Sequence, residues 1–442
     1  MQLCLSEPAR VPVEKFPANS NLECCYAIIS SSPLHWGGLL TLPLDVDSGV
    51  FMRLNFAGWF VICLCGFATC QAAAADVKLI GRGRLAGTAT DHSGQSEALV
   101  NGTPHHRFGG ISALEYAGDK NRFFALADRG PDDGATGYQC RFHELNIDFD
   151  ENGTRPADIS IVSTTLLSDV SGRPMTGNAT VYAPTDKLAG RFDPEGIRLT
   201  KNNTLLISDE YGPHVMEFSL SGKEQRRFPL PAYFSALHPG DSKAAENKLN
   251  HSGRSSNRGL EGLALTPDGQ FAYGIFQGPL LQDASRTKKG KPFGRNCRIV
   301  KLDTHTGETW EYVYQLDDVD HGLNEILALN DHQFLVIERD GETGDEAKFK
   351  RIMQIDLTAT TAIDGSKALP KNGLPSNITP AAKTVFIDLL DPQFGLAGSS
   401  MPKKIEGLSH GPRLADGRQT LVIASDNDFQ ADVPTLFWVF AY

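Results

Sequence analysis

Cysteine is scarce where a folded domain would use it. Of eight Cys in 442 residues, six (positions 4, 24, 25, 63, 65 and 70) fall before residue 76, leaving Cys140 and Cys297. Two cysteines make no disulfide scaffold, and no spacing resembles a zinc site. Their places in the repeat described below predict two free thiols. Long apolar runs are equally rare. The apolar run from Phe56 to Cys70, which holds no Asp, Glu, Lys or Arg, falls short of the roughly 20 residues of a membrane span. Basic excess is missing too. Of 42 Lys and Arg, three precede residue 76, and of 53 Asp and Glu, five do, which leaves a net charge of −9. That argues against nucleic acid or an anionic membrane surface as a partner.

The short apolar run has a use of its own. Arg53, Phe56 to Cys70 and the small residues Ala72-Ala73-Ala74-Ala75 make a secretory signal over residues 52–75, cleaved before Asp76. Nothing periodic precedes it, so Met52 reads as the start and residues 1–51 as no part of the mature protein. An uncleaved anchor is the competing reading. A lipoprotein on Cys70 fits worse, because Phe67 stands where Leu is expected. The expected address is periplasmic or secreted, with no membrane span in the mature chain 76–442.

That remainder repeats itself. Glu195-Gly196-Ile197, Glu261-Gly262-Leu263, Glu325-Ile326-Leu327 and Glu406-Gly407-Leu408 are copies of one phrase, with Ser112-Ala113-Leu114 a fainter one. Each leads through an apolar strand and a polar turn, such as Pro267-Asp268-Gly269, into a second apolar strand. Four of these second strands end on an acid (Asp128, Asp209, Glu338 and Asp426), and Gln277 is the exception. A third, alternating strand follows, and in most units a fourth. Few stretches carry helical period. Four short strands per unit and about five units predict an all-β fold, a single β-propeller. The intervals 112–195 and 325–406 leave room for a degenerate sixth unit. The last unit lacks a fourth strand, and Val77 to Leu85 is expected to supply it and close the ring, removing a free edge.

Propeller geometry then places the chemistry. The start of strand 1, the end of strand 2 and the start of strand 3 meet on one face. Glu195, Glu261, Glu325 and Glu406 are expected there with Asp426 as ligands of a divalent cation. Hard oxygen donors from separate loops suit Ca²⁺, and unbridged carboxylates on one axis would repel. Asp128, Asp209 and Glu338, with Arg129 and Arg339, are the expected catalytic groups. Arg141, Arg298 and Arg351, which open third strands, are expected to bind an anionic substrate, because cation and guanidinium together neutralise a phosphate ester. The competing readings are structural: Glu residues capping neighbouring backbone, and rim salt bridges of little worth.

Two further motifs point to less. Asp148-Phe149-Asp150-Glu151-Asn152-Gly153 resembles the first half of a calcium loop, but its twelfth position is Ile159, and a hairpin turn is the simpler reading. Gly407-Leu408-Ser409-His410-Gly411 matches G-x-S-x-G, yet it coincides with a repeated strand rather than a strand-to-helix elbow.

The residues also carry a resemblance. Gly109-Gly110-Ile111-Ser112 with Ala127-Asp128-Arg129-Gly130, and Phe192-Asp193-Pro194-Glu195-Gly196 with Ser208-Asp209-Glu210-Tyr211-Gly212, resemble the phytase-like family of exported bacterial proteins, also labelled as having esterase-like activity of phytase. Asn257-Arg258-Gly259-Leu260-Glu261-Gly262 and Lys404-Ile405-Glu406-Gly407 fit the same pattern, which covers roughly residues 77–442. The resemblance implies a propeller, export, and hydrolysis of a small-molecule phosphate ester or other ester. Ile326 after Glu325, and Gln277 at the end of its strand, depart from the pattern. The expected function is a calcium-dependent ester hydrolase. A lactonase or carboxylesterase, or a non-catalytic ligand-binding propeller, are the alternatives.

Overall fold

Runs of branched and aromatic residues, six to nine long and cut by Gly, Asn and Asp turns, become strands here because each can bury both of its faces. The computed structural model describes residues 53–55, 59–61, 76–178, 191–238 and 243–442. The chain divides into two units, 1–72 and 73–442. In the first, three-residue strands Arg53–Asn55 and Trp59–Val61 pair antiparallel. The expected signal peptide, its cleavage point at Ala75 and the supposed start at Met52 otherwise lie outside the described residues.

The second unit is a ring of five four-stranded antiparallel blades. Strand β1 (Lys78–Leu85) precedes blade 1, which holds β2 (Ile111–Tyr116), β3 (Arg122–Ala127), β4 (Arg141–Asp148) and β5 (Asp158–Leu166). Blade 2 holds β6 (Pro194–Leu199), β7 (Thr204–Asp209), β8 (His214–Ser219) and β9 (Glu224–Pro229). Blade 3 holds β10 (Leu260–Leu265), β11 (Phe271–Phe276), β12 (Asn296–Asp303) and β13 (Thr309–Gln315). In blade 4 come β14 (Gly322–Ala328), β15 (Gln333–Arg339), β16 (Lys350–Asp356) and β17 (Ala382–Asp388). Blade 5 takes β18 (Lys404–His410), β19 (Thr420–Asp426) and β20 (Thr435–Ala441), and β1 adds itself to β20 as the fourth strand. The ring closes as the sequence predicts. Among the described residues there is no sixth blade.

Alternation explains the ring. In β3, Phe123 and Ala125 point into a cluster shared with Val422 and Val439 of blade 5, whereas Phe124 and Leu126 point into one shared with Ile197 and Ile207 of blade 2. Three more clusters fill the gaps between blades 2 and 3, 3 and 4, and 4 and 5. Each blade thus covers its neighbours' faces. Cys140 and Cys297 are buried and free. The Asp148–Gly153 stretch is a hairpin turn in which Asp150 accepts from Thr154 N. Ser409 lies inside β18, fully buried, and donates to the His410 carbonyl at 2.8 Å, so it forms no elbow.

Candidate functional site at the channel mouth

Every innermost strand breaks register near its start. The breaks fall between Ile111 and Ala113, Pro194 and Ile197, Leu260 and Gly262, Leu323 and Ile326, and Ile405 and Gly407. Such a bulge turns an unpaired residue out of the ladder. The unpaired position holds Ser112, Glu195, Glu261, Asn324 and Glu406, one residue from each blade. Pairing further along confirms the alignment, since Ile197 faces Ile207 and Ile326 faces Val336. Blade 4 therefore contributes Asn324 to the ring. Glu325 occupies the place of Gly196, Gly262 and Gly407.

In blades 2 and 3 that place must be small. A Cβ at Gly262 would stand 2.6 Å from the Glu325 Cα, and one at Gly196 2.6 Å from Leu263 N. Glu325 is fully buried and accepts from Leu263 N at 3.0 Å and Ile326 N at 2.9 Å, with Arg198 Nη2 at 3.1 Å. Arg198 also donates to Leu114 O at 2.9 Å and Ile326 O at 2.8 Å, which ties blades 1, 2 and 4 together. Burial still lifts the Glu325 carboxyl to about 8, against the pull of Arg198. It is a structural pin and no ring ligand.

A second ring lies at the ends of the second strands. The same registers align Asp128, Glu210, Gln277, Arg339 and Asp426. Asp209 and Glu338, expected here, stand one residue earlier. The Asp209 carboxylate accepts Tyr211 N at 3.0 Å, Gly212 N at 3.1 Å and Asp193 N at 3.1 Å, which makes it the staple of its own turn. Glu338 is occupied by His321, Tyr314 and Lys383.

The two rings touch. Gln277 donates to Glu261, Arg339 Nη2 to Glu406 at 2.7 Å, and Asn324 Nδ2 to Glu261 at 3.1 Å and Glu406 at 3.0 Å. Arg129 donates to Asp193, to Glu210 at 3.0 Å, to Asp133 at 3.0 Å and to Asn257. Lys404 reaches Asp426 at 2.7 Å and Asp428 at 2.5 Å. Asp128 accepts Gly130 N at 2.8 Å. Oxygens of Asp193, Glu195 and Glu210 lie within 4.8 Å of one another, all buried.

Negative charge is in excess. Asp128, Asp193, Glu195, Glu210, Glu261, Glu406 and Asp426 face Arg129, Arg339 and Lys404. Burial, then Glu261, Asp193, Glu210 and Glu406, push the Glu195 carboxyl well above its usual range. Burial and the neighbouring acids do the same to Glu261, and burial and Asp426 do so to Asp128. Asp426 rises to about 6 and Glu210 to about 7, chiefly through burial. Glu195 is 7 % exposed and receives no hydrogen bond from any described residue. Asn324 Oδ1 and Ser112 Oγ are buried without a partner. A hard cation would satisfy such a set of oxygens.

The arginines expected to bind substrate lie elsewhere. Arg141 is fully buried and holds Asp91 at 2.6 Å, and Arg298 is fully buried between Asp283 and Glu311, both at 2.8 Å. They anchor loops and have no surface to offer a ligand. Arg351 is half-buried, pairs with Asp388 at 2.8 Å and rests on Phe349. Sequence reasoning passed over Asp193, Glu210, Asn324 and Ser112. Sliding the fourth copy of the repeat by one residue would have found Asn324.

A family model described as phytase-like, esterase-like activity of phytase, matches residues 106–429. An "Uncharacterized secreted protein" of Arthroderma benhamiae is 26% identical over 394 residues, 70% of this chain and 75% of that one. Among solved structures, a family 43 β-1,3-galactosidase aligns with a TM-score of 0.38 and 9% identity, over 78% of this chain and 94% of its own. The propeller domain of Swd1 from Myceliophteria thermophila aligns at 0.33 and 9%, over 76% and 97%. Nothing follows for this chain from likenesses so distant. The family match spans blades 1 to 4, the first two strands of blade 5 and both rings, and the chain belongs to the phytase-like family.

Proposed function

We propose that this chain is an exported hydrolase of small ester substrates, phosphate esters foremost, with a divalent cation, calcium by donor chemistry, held at the channel mouth. The observation that carries this is the inner ring. Five bulges bring Ser112, Glu195, Glu261, Asn324 and Glu406 together; Ser112 Oγ and Asn324 Oδ1 are buried without a partner, the Glu195 and Glu261 carboxyls are pushed up by burial and neighbouring acids, and an oxygen-only donor set with excess negative charge suits Ca²⁺. Glu195, Glu261, Asn324 and Glu406, with Asp193 beside them, would hold the ion. When bound it neutralises charge on the ester oxygens and lowers the pKa of a bound water.

The remaining residues position. Arg129 spends its donors on Asp193, Glu210, Asp133 and Asn257, so it orders the acids of blade 2 rather than gripping substrate. Arg339 does the same for Glu406. Arg191 has no carboxylate partner among the described residues, and its guanidinium lies 4.0 Å from the Tyr211 ring. A guanidinium held on an aromatic face with free donors suits an anionic substrate group. The unit from residue 73 on has no described helix long and apolar enough to cross a membrane. Export follows from the segment 52–75, with cleavage near Ala75. N-terminal sequencing of the secreted or periplasmic protein should begin near Asp76, and a cytosolic chain retaining residues 1–51 would refute it.

The test of activity is a panel of phosphomonoesters, carboxyesters and lactones, with calcium or a chelator. The proposal expects phosphomonoester turnover that the chelator abolishes. Turnover of carboxyesters or lactones alone would move it to the lactonase class, and turnover of nothing would leave a binding propeller.

A further inference from the structure

His321 lies at the same mouth, immediately before β14, and no motif draws attention to it. Its Nδ1 is 2.9 Å from Glu338 Oε1. Glu338 itself is fully buried and has further donors: Tyr314 Oη at 2.6 Å, Lys383 Nζ at 2.9 Å and Asp317 N at 2.6 Å. Burial opposes its charge, but these bonds overcome burial and hold the carboxyl at about 2, so it stays ionised. Lys383 also pairs with Asp317 at 2.6 Å, which gives Glu338 a cation without calling on the imidazole.

An ionised acceptor orients the ring. Nδ1 donates to it, which leaves Nε2 as the nitrogen turned away from Glu338 and able to exchange a proton. Phe349 stacks on the ring at 4.1 Å between centroids, and Arg258 Nη2 donates to the His321 carbonyl at 2.9 Å. The ring is therefore held at Nδ1 by Glu338 and on its face by Phe349, and the backbone of His321 by Arg258. Nε2 has no partner among the described residues, yet it is not one of the buried unsatisfied atoms, as His143 Nε2, His214 Nδ1 and His410 Nδ1 are. It meets solvent, with 11 % of the side chain exposed. Three residues of extended chain, at about 3.3 Å each, separate His321 from Asn324 of the inner ring.

We propose that His321, oriented by Glu338, is the proton acceptor for hydrolysis at this mouth, a role that rests on the hydrolase reading above. Nε2 takes a proton from water as the water oxygen bonds to the phosphoryl or acyl centre. The ester oxygen bond breaks, and the imidazolium returns the proton to the departing alkoxide. Ester and water give acid and alcohol, with no other reactant. Glu338 is the positioning residue, and the charged groups facing the pair are Lys383, Asp317 and Arg258.

The experiment combines kinetics with a readout that needs no turnover. In the folded wild type, diethyl pyrocarbonate should modify His321, mapped by mass spectrometry, and inorganic phosphate should protect it. His321→Gln should lower kcat by about 10²–10⁴-fold with KM changed less than about threefold, and should erase the acid limb of the kcat/KM profile. Imidazole should restore part of the activity of His321→Ala. Glu338→Gln should lower kcat and displace that limb. Both His321 variants should keep the wild-type rise in Tm on adding calcium, which shows them folded. A His321 that resists modification in the native protein, or a His321→Gln variant within about threefold of wild-type kcat, would overturn the proposal. Turnover in wild type shared by His321→Gln sinks this inference alone, whereas a wild type that hydrolyses no ester sinks the hydrolase reading with it.

Discussion

Glu195 is a buried carboxylate without a donor, a state that costs free energy unless the proton stays on or a cation arrives. Its carboxyl is raised from 4.5 first by burial and then by Glu261 and the other acids, and that of Glu261 first by burial and then by Glu210, Glu406 and Asp193. The sign follows from linkage: a raised folded pKa gives stability that is complete below about 4.5 and is lost as pH climbs toward the folded value. Chelated protein should therefore melt at progressively lower temperature from pH 5 to pH 8, with Glu210 and Asp426, near 7 and 6, adding to the slope. Glu195→Gln should flatten that slope in thermal melts. A chelated wild type whose Tm is constant over this range would show the acids to be compensated within the protein. Glu338 has the opposite sign. Its folded pKa of about 2 makes its contribution fall away only as pH drops from about 4.5 toward 2.

At the scale of the element, the repeat was legible and its register was not. Alternating apolar runs and Gly turns announced five blades, because side-chain alternation is a property of sequence alone. A bulge is a property of pairing. By residue type Glu325 aligns with Glu195 and Asp209 with Asp128, while the ladder puts Asn324 and Glu210 in those places. Arg141 and Arg298 misled differently: an Arg opening a strand looks like a ligand group until the distant Asp91, Asp283 and Glu311 are seen to cover it. His321 had no repeat to mark it.

Two predictions belong at this scale. Gly262→Ala puts a Cβ against backbone at Glu325, which cannot rotate aside, and should cost about 1–3 kcal/mol. Gly341→Ala, whose Cβ meets nothing within 4 Å, should be close to neutral. Denaturant melts read both, and equal costs would reject the close approach of the inner strands. Above pH 8, where Glu325 is ionised, Arg198→Met strands it without its cation and should lose about 3–5 kcal/mol, mostly restored when Glu325→Gln is added. A single variant as stable as wild type would show that Arg198 does not pin the three blades.

The molecule as a whole is a ring whose blades share their cores, so closure matters more than any one blade. β1 pairs with β20 along Lys78–Leu85, and its removal would leave the edge of β20 unpaired. A chain lacking residues 76–85 should aggregate or lose its single cooperative transition, and a truncated chain that melts like the full one would argue against closure by β1. Closure also holds the five bulges around one axis, and the mouth depends on that convergence. Calcium titration of the processed, exported protein, followed by thermal melting, tests the convergence most directly. A ligand of the native state raises Tm by mass action. The account predicts a calcium-dependent rise in wild type, weakened in Glu195→Gln and Glu261→Gln, and kept in Glu325→Gln, whose side chain lies outside the ring. A wild type indifferent to calcium, or a rise lost in Glu325→Gln and untouched in the ring variants, would contradict it.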